Sequence, residues 1–306
     1  MERRFFVVAN PASGRRKVGR VLRQLQQYFD QHRCSYNLFE TSFEKRGHKT
    51  VEENLKHDFT DLVVVGGDGT INEAINGLRT NVAVSFIPAG TGDDFVKTLD
   101  IGRKLVDHFD TMLNGNEHLI DLGLCNDRKF LNGVGIGFDG QIVADMLQKT
   151  VSYLSGQAKY YYHVLQILST YKERKFKGLM EGERYEGDLI LMTIAKGTTF
   201  GGGFKLTPGA SLQDGYLEVC EIGPISPIGR YLNVLKLQNG SHGALHAVRF
   251  RKVKSVKIFE NDQLQAHIDG ELLGSPPFNI SVIPAALKIR ARAILTWTLL
   301  AISLVY

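Results

Sequence analysis

The sequence predicts an N-terminal α/β domain on a parallel sheet, followed by a mostly antiparallel β domain. Two observations carry that reading. The first third repeats one pattern, an apolar run that ends in a glycine-containing loop and leads into helical periodicity. Beyond about residue 120 the repeat gives way to short β-forming segments between glycine-containing turns. Alternating strands and helices imply a parallel sheet with covering helices, whereas closely spaced strands favour antiparallel pairing.

Taken in order, FFVVA (5–9) ends at NPASG (10–14), and Val18, Val21, Leu22, Leu25, Tyr28 and Phe29 follow at helical spacing. LVVV (62–65) ends at GGDGT and leads into INEAINGL. VAVSFIP (82–88) ends at AGTGD (89–93) and leads into DFVKTL, read as a further helix. Loops after the C-termini of parallel strands share one sheet edge, where ligands bind, so the three loops are expected to converge. The second domain is read from FLNGVGIGF (130–138), DLILMTIAKG (188–197), GYLEVCEIG (215–223), VKSVKIFE (253–260) and QAHIDGE (265–271), with one inserted helix over 151–171. The expected division is 1–122, 123–287 and a tail over 288–306.

Composition narrows the class. The chain has 306 residues and a net charge of +5, modestly basic, so attraction to an anionic surface is allowed but not compelled. Cys34, Cys125 and Cys220 are scattered without a CxxC pair and read as free thiols in a reducing compartment. The start MERRFFVVANP reads as no signal peptide. No stretch reaches the roughly 20 apolar residues of a spanning helix. The apolar tail 294–306 is too short to span and is expected to pack on the first domain or lie on a membrane. These features favour a cytoplasmic protein and offer nothing for nucleic acid.

The loops carry the chemistry. Glycines let backbone N–H groups approach and point at a ligand, and the N-terminus of the following helix adds partial positive charge. GGDGT therefore reads as a phosphate cradle. Asp68 inside it would repel phosphate unless a cation intervenes, and Mg²⁺ is the simplest choice. Thr70 and Asn72 are placed to cap the helix or bond a nucleotide. AGTGDD (89–94) admits the same reading, or a plain helix cap with a first-turn acid. No Walker-type loop is present, and GIGFDG (135–140) resembles a phosphate loop but reads as opening no clear helix at the spacing of a dinucleotide-binding fold.

Together the motifs resemble the diacylglycerol kinase catalytic family, in its bacterial soluble lipid-kinase branch, which also holds sphingosine and ceramide kinases. NPASG, GGDGTINE, PAGTGDDFVK, NGVGIGFDGQIV, FGGGFKLTPGASLQDGYLEV and HIDGE match family motifs in order across residues 5–287. The resemblance implies an α/β domain like that of diacylglycerol and NAD kinases, a C-terminal β-sandwich, and an active site in the cleft between them. It implies ATP contacts at Asn10, Thr41, Gly66, Gly67, Asp68, Gly69, Thr70, Ile71, Asn72, Glu73, Gly90 and Thr91. Asp68, Asp94 and Glu271 would carry the Mg²⁺ and base functions, with Glu271 as the general base. A structural Mg²⁺ is implied at Ser211, Asp214 and Tyr216, through the Asp214 carboxylate and two backbone carbonyls. Asp93 stands where the family usually has Asn, adding negative charge beside the phosphates.

The activity so implied is ATP- and Mg²⁺-dependent phosphorylation of a lipid hydroxyl, with diacylglycerol giving phosphatidic acid. Phosphatidylglycerol or a sphingoid base is the alternative substrate, and a non-catalytic nucleotide or lipid sensor is the alternative class. An NAD kinase shares a GGDGT-like loop, but its Asn-Glu pair lies far downstream, whereas Asn72-Glu73 follow at once. A membrane lipid substrate calls for peripheral contact at the inner membrane face. RFRKVKSVK (249–257) and KERKFK (172–177) offer basic charge for it, or form solvated faces. The aromatic helix around Tyr160, Tyr161 and Tyr162 would line an acyl groove or sit in the core. A homodimer is compatible with the chain.

Overall fold

The computed structural model describes residues 3–11, 16–41, 47–102, 104–148 and 157–294. It divides into two compact units, Met1–Ile120 with Ala285–Tyr306, and Asp121–Pro284, so far as these are described.

The first unit opens with β1 (Arg4–Ala9), α1 (Arg16–Gln31), β2 (Ser35–Glu40), α2 (Gly47–Asn54), β3 (Asp61–Gly66), α3 (Asp68–Gly77), β4 (Ala83–Pro88), β5 (Leu99–Asp100) and α4 (Leu105–Asn114). β6 (Asn116–Cys125) leads into the second unit, which continues with β7 (Arg128–Phe130), β8 (Gly133–Gly137), α5 (Phe138–Gln148), α6 (Gln157–Leu168), β9 (Arg174–Met180), β10 (Glu183–Leu189), β11 (Leu191–Ala195), β12 (Leu217–Ile222), α7 (Pro227–Asn239), β13 (Val248–Val253), β14 (Ser255–Ile258), β15 (Ala266–Ile268) and β16 (Glu271–Gly274). β17 (Phe278–Ala291) returns the chain to the first unit, where β18 (Ala293–Ile294) follows.

The first sheet runs β2-β1-β3-β4 with every pair parallel. β3 is buried along its whole length, which is why it reads as an unbroken apolar run. α1 buries Val18, Val21, Leu22, Leu25 and Phe29 in one core with Phe5, Val7, Val63 and Val65. The connections after β1 and after β2 send the chain to opposite sides of β1. This places the topological switch, and hence the ligand crevice, at the C-terminal ends of β1 and β3. The end of β17 adds a further parallel partner through Ile289 and Val84. Arg290 and Arg3 both bind the fully buried Asp61, at 2.7 and 2.6 Å, and fasten that returning segment.

One expected helix is absent. After AGTGD the chain makes a single 3-10 turn at Val96–Thr98 and then β5, which pairs with β18. Phe95, Val96, Leu99 and Ile101 are all buried. Their burial, together with the strand partner, selects extended chain over the helix their spacing allows. Residues 12–15, 42–46, 151–156 and 295–306 lie outside the described residues. The latter part of NPASG, the start of the expected 151–171 helix and most of the apolar tail therefore do too. Among the described residues no helix is long and apolar enough to cross a membrane.

The second unit is an antiparallel sandwich. One sheet runs β13-β12-β11-β8-β15-β16. The other holds β10, β9, β14 and the first part of β17. Met192, Ile194, Leu217 and Val219 face Phe176, Val256, Ile258 and Ile280 across the core. The alternate residues Leu191, Cys220 and Ile222 pack against Phe138, Ile142, Val164 and Leu168 of α5 and α6. Period-two alternation thus puts two apolar layers on one sheet, and β11 and β12 are buried throughout. Contrary to expectation, GIGFDG does open a helix, α5. Its first-turn acid, Asp139, is committed to a buried pair with His267 Nε2 at 2.8 Å and also accepts the Tyr160 hydroxyl at 3.1 Å.

Candidate active site

In the first unit the loops after β3 and β4 meet, beside the described start of the loop after β1. A Cβ on Gly90 would lie 2.6 Å from Gly67 Cα and 2.7 Å from Asp93 Oδ1, so the loops after β3 and β4 touch backbone to backbone and glycine is required there. Thr41, just past β2, donates its amide to Ala9 at the end of β1 at 2.8 Å. Asn10 donates its amide to Val65 at 3.4 Å. The residues assigned to ATP therefore gather at the C-terminal ends of β1 to β4.

Within that group the roles differ. Gly67 caps α3 without any side-chain hydrogen bond, leaving the first amides of the helix to an outside acceptor. Thr41 is buried, and its Oγ1 has no hydrogen-bond partner among the described residues. Ile71 and Asn72 are buried, Asn72 bonding the Asn76 amide at 3.2 Å. Glu73 accepts the Gly47 amide at 2.7 Å and so holds the start of α2. Thr70 packs over Gly66, where a Cβ would lie 2.5 Å from its own. Gly90 is partly buried and Thr91 exposed.

Three carboxylates meet here. Asp68 accepts the amides of Asp94 at 3.0 Å and Phe95 at 3.2 Å. Beside Gly92, a Cβ would lie 3.1 Å from Asp68 Oδ2 and 3.7 Å from Asp94 Oδ2, so the two acids face one spot. Burial, and next the negative Asp94, push the Asp68 carboxyl up to about 6, against the pull of those two amides. Asp94 is buried and pairs with Lys97 Nζ at 2.9 Å. Asp93 adopts φ 51, a left-handed geometry open to Asn and Asp. Its Oδ1 accepts the Gly90 amide at 3.1 Å, and its Oδ2 lies 3.7 Å from Lys17 Nζ. Burial raises the Asp93 carboxyl above its ordinary value, and Lys17 opposes the rise. The departure from family Asn thus keeps the backbone geometry and gains a cationic neighbour that no motif signalled.

The remaining residues belong to the second unit. Glu271 opens β16 after the two-residue turn Asp269-Gly270, both with positive φ. Asp269 accepts the amides of Leu131, Asn132 and Gly133 at 2.9–3.0 Å, which fixes that turn. Glu271 Oε2 pairs with Arg128 Nη2 at 2.6 Å, both side chains being part-exposed. Ser211, Asp214 and Tyr216 lie in the loop before β12. There the Lys196 ammonium bonds Asp214 Oδ1 at 3.1 Å and the Tyr216 carbonyl at 2.7 Å. Arg128 and Lys196 escaped sequence reading, because each meets its partner across a long separation, 143 residues for Arg128 and Glu271 and 75 for Lys196 and Asp121.

The second unit also encloses an apolar cavity of ≈ 80 Å³, bounded by Phe138, Val164, Leu168, Ile190, Phe204 and Leu237, with Asp139 and Tyr160 among its walls. α7, one of its walls, was missed in the sequence despite an N-cap and stop. Ser226 Oγ accepts the Gly229 amide at 3.2 Å, Pro227 fills the first turn, and Gly240 closes the helix at φ 84. Its outer face exposes Ile228, Tyr231, Leu232 and Leu235.

Comparison with known proteins agrees with these features. Residues 4–125 match the diacylglycerol kinase catalytic domain, and residues 132–291 match the YegS C-terminal NAD kinase beta sandwich-like domain. The diacylglycerol kinase of Bacillus subtilis is 28% identical over 276 residues, covering 89% of this chain and 90% of its own. That of Staphylococcus carnosus is 27% identical over 286 residues, covering 91% and 92%. A diacylglycerol kinase crystal structure from Bacillus anthracis superposes with a TM-score of 0.72 at 22% identity, covering 95% of this chain and 98% of that one. An NAD kinase from Archaeoglobus fulgidus, solved in complex with ATP, shares the fold at a TM-score of 0.52 and 12% identity, covering 97% of each chain. The chain belongs to the diacylglycerol kinase catalytic-domain family and is a lipid kinase.

Proposed function

We propose that this lipid kinase transfers the γ-phosphate of ATP, with Mg²⁺, to the hydroxyl of diacylglycerol, giving phosphatidic acid. The observation that carries the nucleotide half is the junction of Gly67 and Gly90, where the uncapped start of α3 lies beside Asp68 and Asp94. The lipid half is supported by the apolar cavity of the second unit.

Two acids sharing one spot, with Asp68 raised to about 6, carry charge that a divalent cation would relieve, so the residues fit Mg²⁺. Asp68 and Asp94 would hold it, and when bound it neutralises phosphate charge. The chain's own residues do the rest. The α3 amides and the Gly90 loop orient the phosphates. The unpartnered Thr41 hydroxyl and Asn10 bond the nucleotide. Glu271 takes the proton of the attacking hydroxyl, and Arg128 keeps its carboxylate aimed. The exposed apolar residues of α7 serve peripheral contact with a lipid surface.

The test offers the full chain labelled ATP and Mg²⁺ with mixed micelles of diacylglycerol, phosphatidylglycerol, ceramide or sphingosine, and NAD as the soluble control. Label in phosphatidic acid is expected. Label in another lipid changes the substrate, and label in NADP alone refutes the lipid reading. ATP binding without transfer to any acceptor favours the sensor.

A further inference from the structure

The site that the resemblance gives to a structural Mg²⁺ already holds a cation from the chain. Lys196 follows β11 and is fully buried. Its Nζ donates to Asp121 Oδ2 at 2.8 Å, Asp214 Oδ1 at 3.1 Å and the Tyr216 carbonyl at 2.7 Å. An ammonium has three donors, and all three are used. The oxygens are also engaged from the other side. Asp121 Oδ2 accepts the Gly215 amide at 2.7 Å, Asp214 Oδ1 accepts the Tyr216 amide at 3.1 Å, and Asp214 Oδ2 accepts Lys252 Nζ at 2.6 Å.

We infer that the Lys196 ammonium is the resident cation of this site and takes the place of a divalent ion. Charge and geometry exclude both at once. Asp121 and Asp214 are balanced by Lys196 and Lys252, so a divalent ion would leave an excess of positive charge in a buried place. Mg²⁺ demands oxygens at about 2.0–2.1 Å in octahedral array, whereas the Asp214 and Tyr216 oxygens converge on a nitrogen at hydrogen-bond distance. Lys196 has no exposed surface, so its ammonium meets no solvent where it stands. The second unit therefore folds without Mg²⁺, and the metal requirement of the enzyme is confined to the first unit.

This inference stands apart from the substrate, and its test reads no activity. Crystals of the wild-type chain equilibrated with Mn²⁺ are expected to show no anomalous peak bonded to Asp214 and the Tyr216 carbonyl, and a peak there overturns the inference. The complementary test is Lys196→Asn, which removes the ammonium and leaves both carboxylates. Thermal unfolding of the nucleotide-free variant is expected to gain a Mg²⁺-dependent rise of roughly 5 °C at saturation, abolished by adding Asp214→Asn. A folded Lys196→Asn chain with no such rise also overturns it. Should that variant fail to fold, the Mn²⁺ experiment on wild type still decides.

Discussion

Replacing Asp68 by Asn should destroy activity while making the protein more stable at neutral pH. The rise of the Asp68 carboxyl from its ordinary 3.8 to about 6 disfavours the ionised form by roughly 3 kcal/mol at about 1.4 kcal/mol per unit. Asn removes that burden. It has one acceptor oxygen where Asp68 offers one to each of the Asp94 and Phe95 amides, so one amide loses its bond, at about 1–2 kcal/mol. The expected net gain is on the order of 1–2 kcal/mol. The sign with pH follows from the raised value. Between 3.8 and about 6 the folded state holds a proton that the unfolded chain has lost, so wild-type stability rises as pH falls through that window. The variant lacks this slope, so its advantage should vanish inside that window, near about pH 5, and reverse below it. Urea unfolding midpoints of both proteins, metal- and nucleotide-free, across that range provide the assay. A variant less stable than wild type at neutral pH, or a difference independent of pH, would refute the reasoning. Near-normal turnover by the variant would refute the site itself.

Other outcomes follow from the same geometry. Glu271→Gln should keep ATP binding, measured by calorimetry, while kcat falls by roughly 10²-fold or more, the usual scale for losing a general base. Asp93→Asn should leave the melting temperature nearly unchanged, because Asn tolerates φ 51 and still accepts the Gly90 amide; Asp93→Ala should cost about 1–3 kcal/mol in left-handed strain and the lost bond. Burial works against an imidazolium at His267, but Asp139 outweighs it and holds the ring above its ordinary value, while the same pairing holds Asp139 below its own. The pair's stabilisation is therefore present in mildly acid solution. It is lost as pH rises through the His267 value, and again as pH falls through that of Asp139. The stability difference between wild type and His267→Gln should shrink above about pH 6.5, and an unchanging difference would deny the ion pair. Leu232→Asp, on the exposed face of α7, should reduce flotation with phosphatidylglycerol-containing vesicles while leaving the melting temperature unmoved.

Three strands of the first unit, β1, β3 and β4, their glycine loops and the succession of an α/β part and an antiparallel part were legible in the sequence, whereas β2 and α2 were not. These rest on short-range physics. A strand buried on both faces must be apolar throughout, and loops that touch backbone to backbone must carry glycine at the contact, as Gly67 and Gly90 do. Local spacing misled where burial rather than periodicity chose the conformation. DFVKTL became a 3-10 turn and a strand because its apolar residues found a partner in β18, and α5 began directly after GIG because Asp139 had a buried His267 to meet. Only the tertiary structure decided which charges pair. Lys17 reaches Asp93 from α1, Arg128 meets Glu271 across 143 residues, and Lys196 enters the Asp121–Asp214 site from a strand end 75 residues beyond Asp121. Such contacts leave no periodic trace, because each joins residues far apart in sequence that only the packing of the whole unit brings within reach.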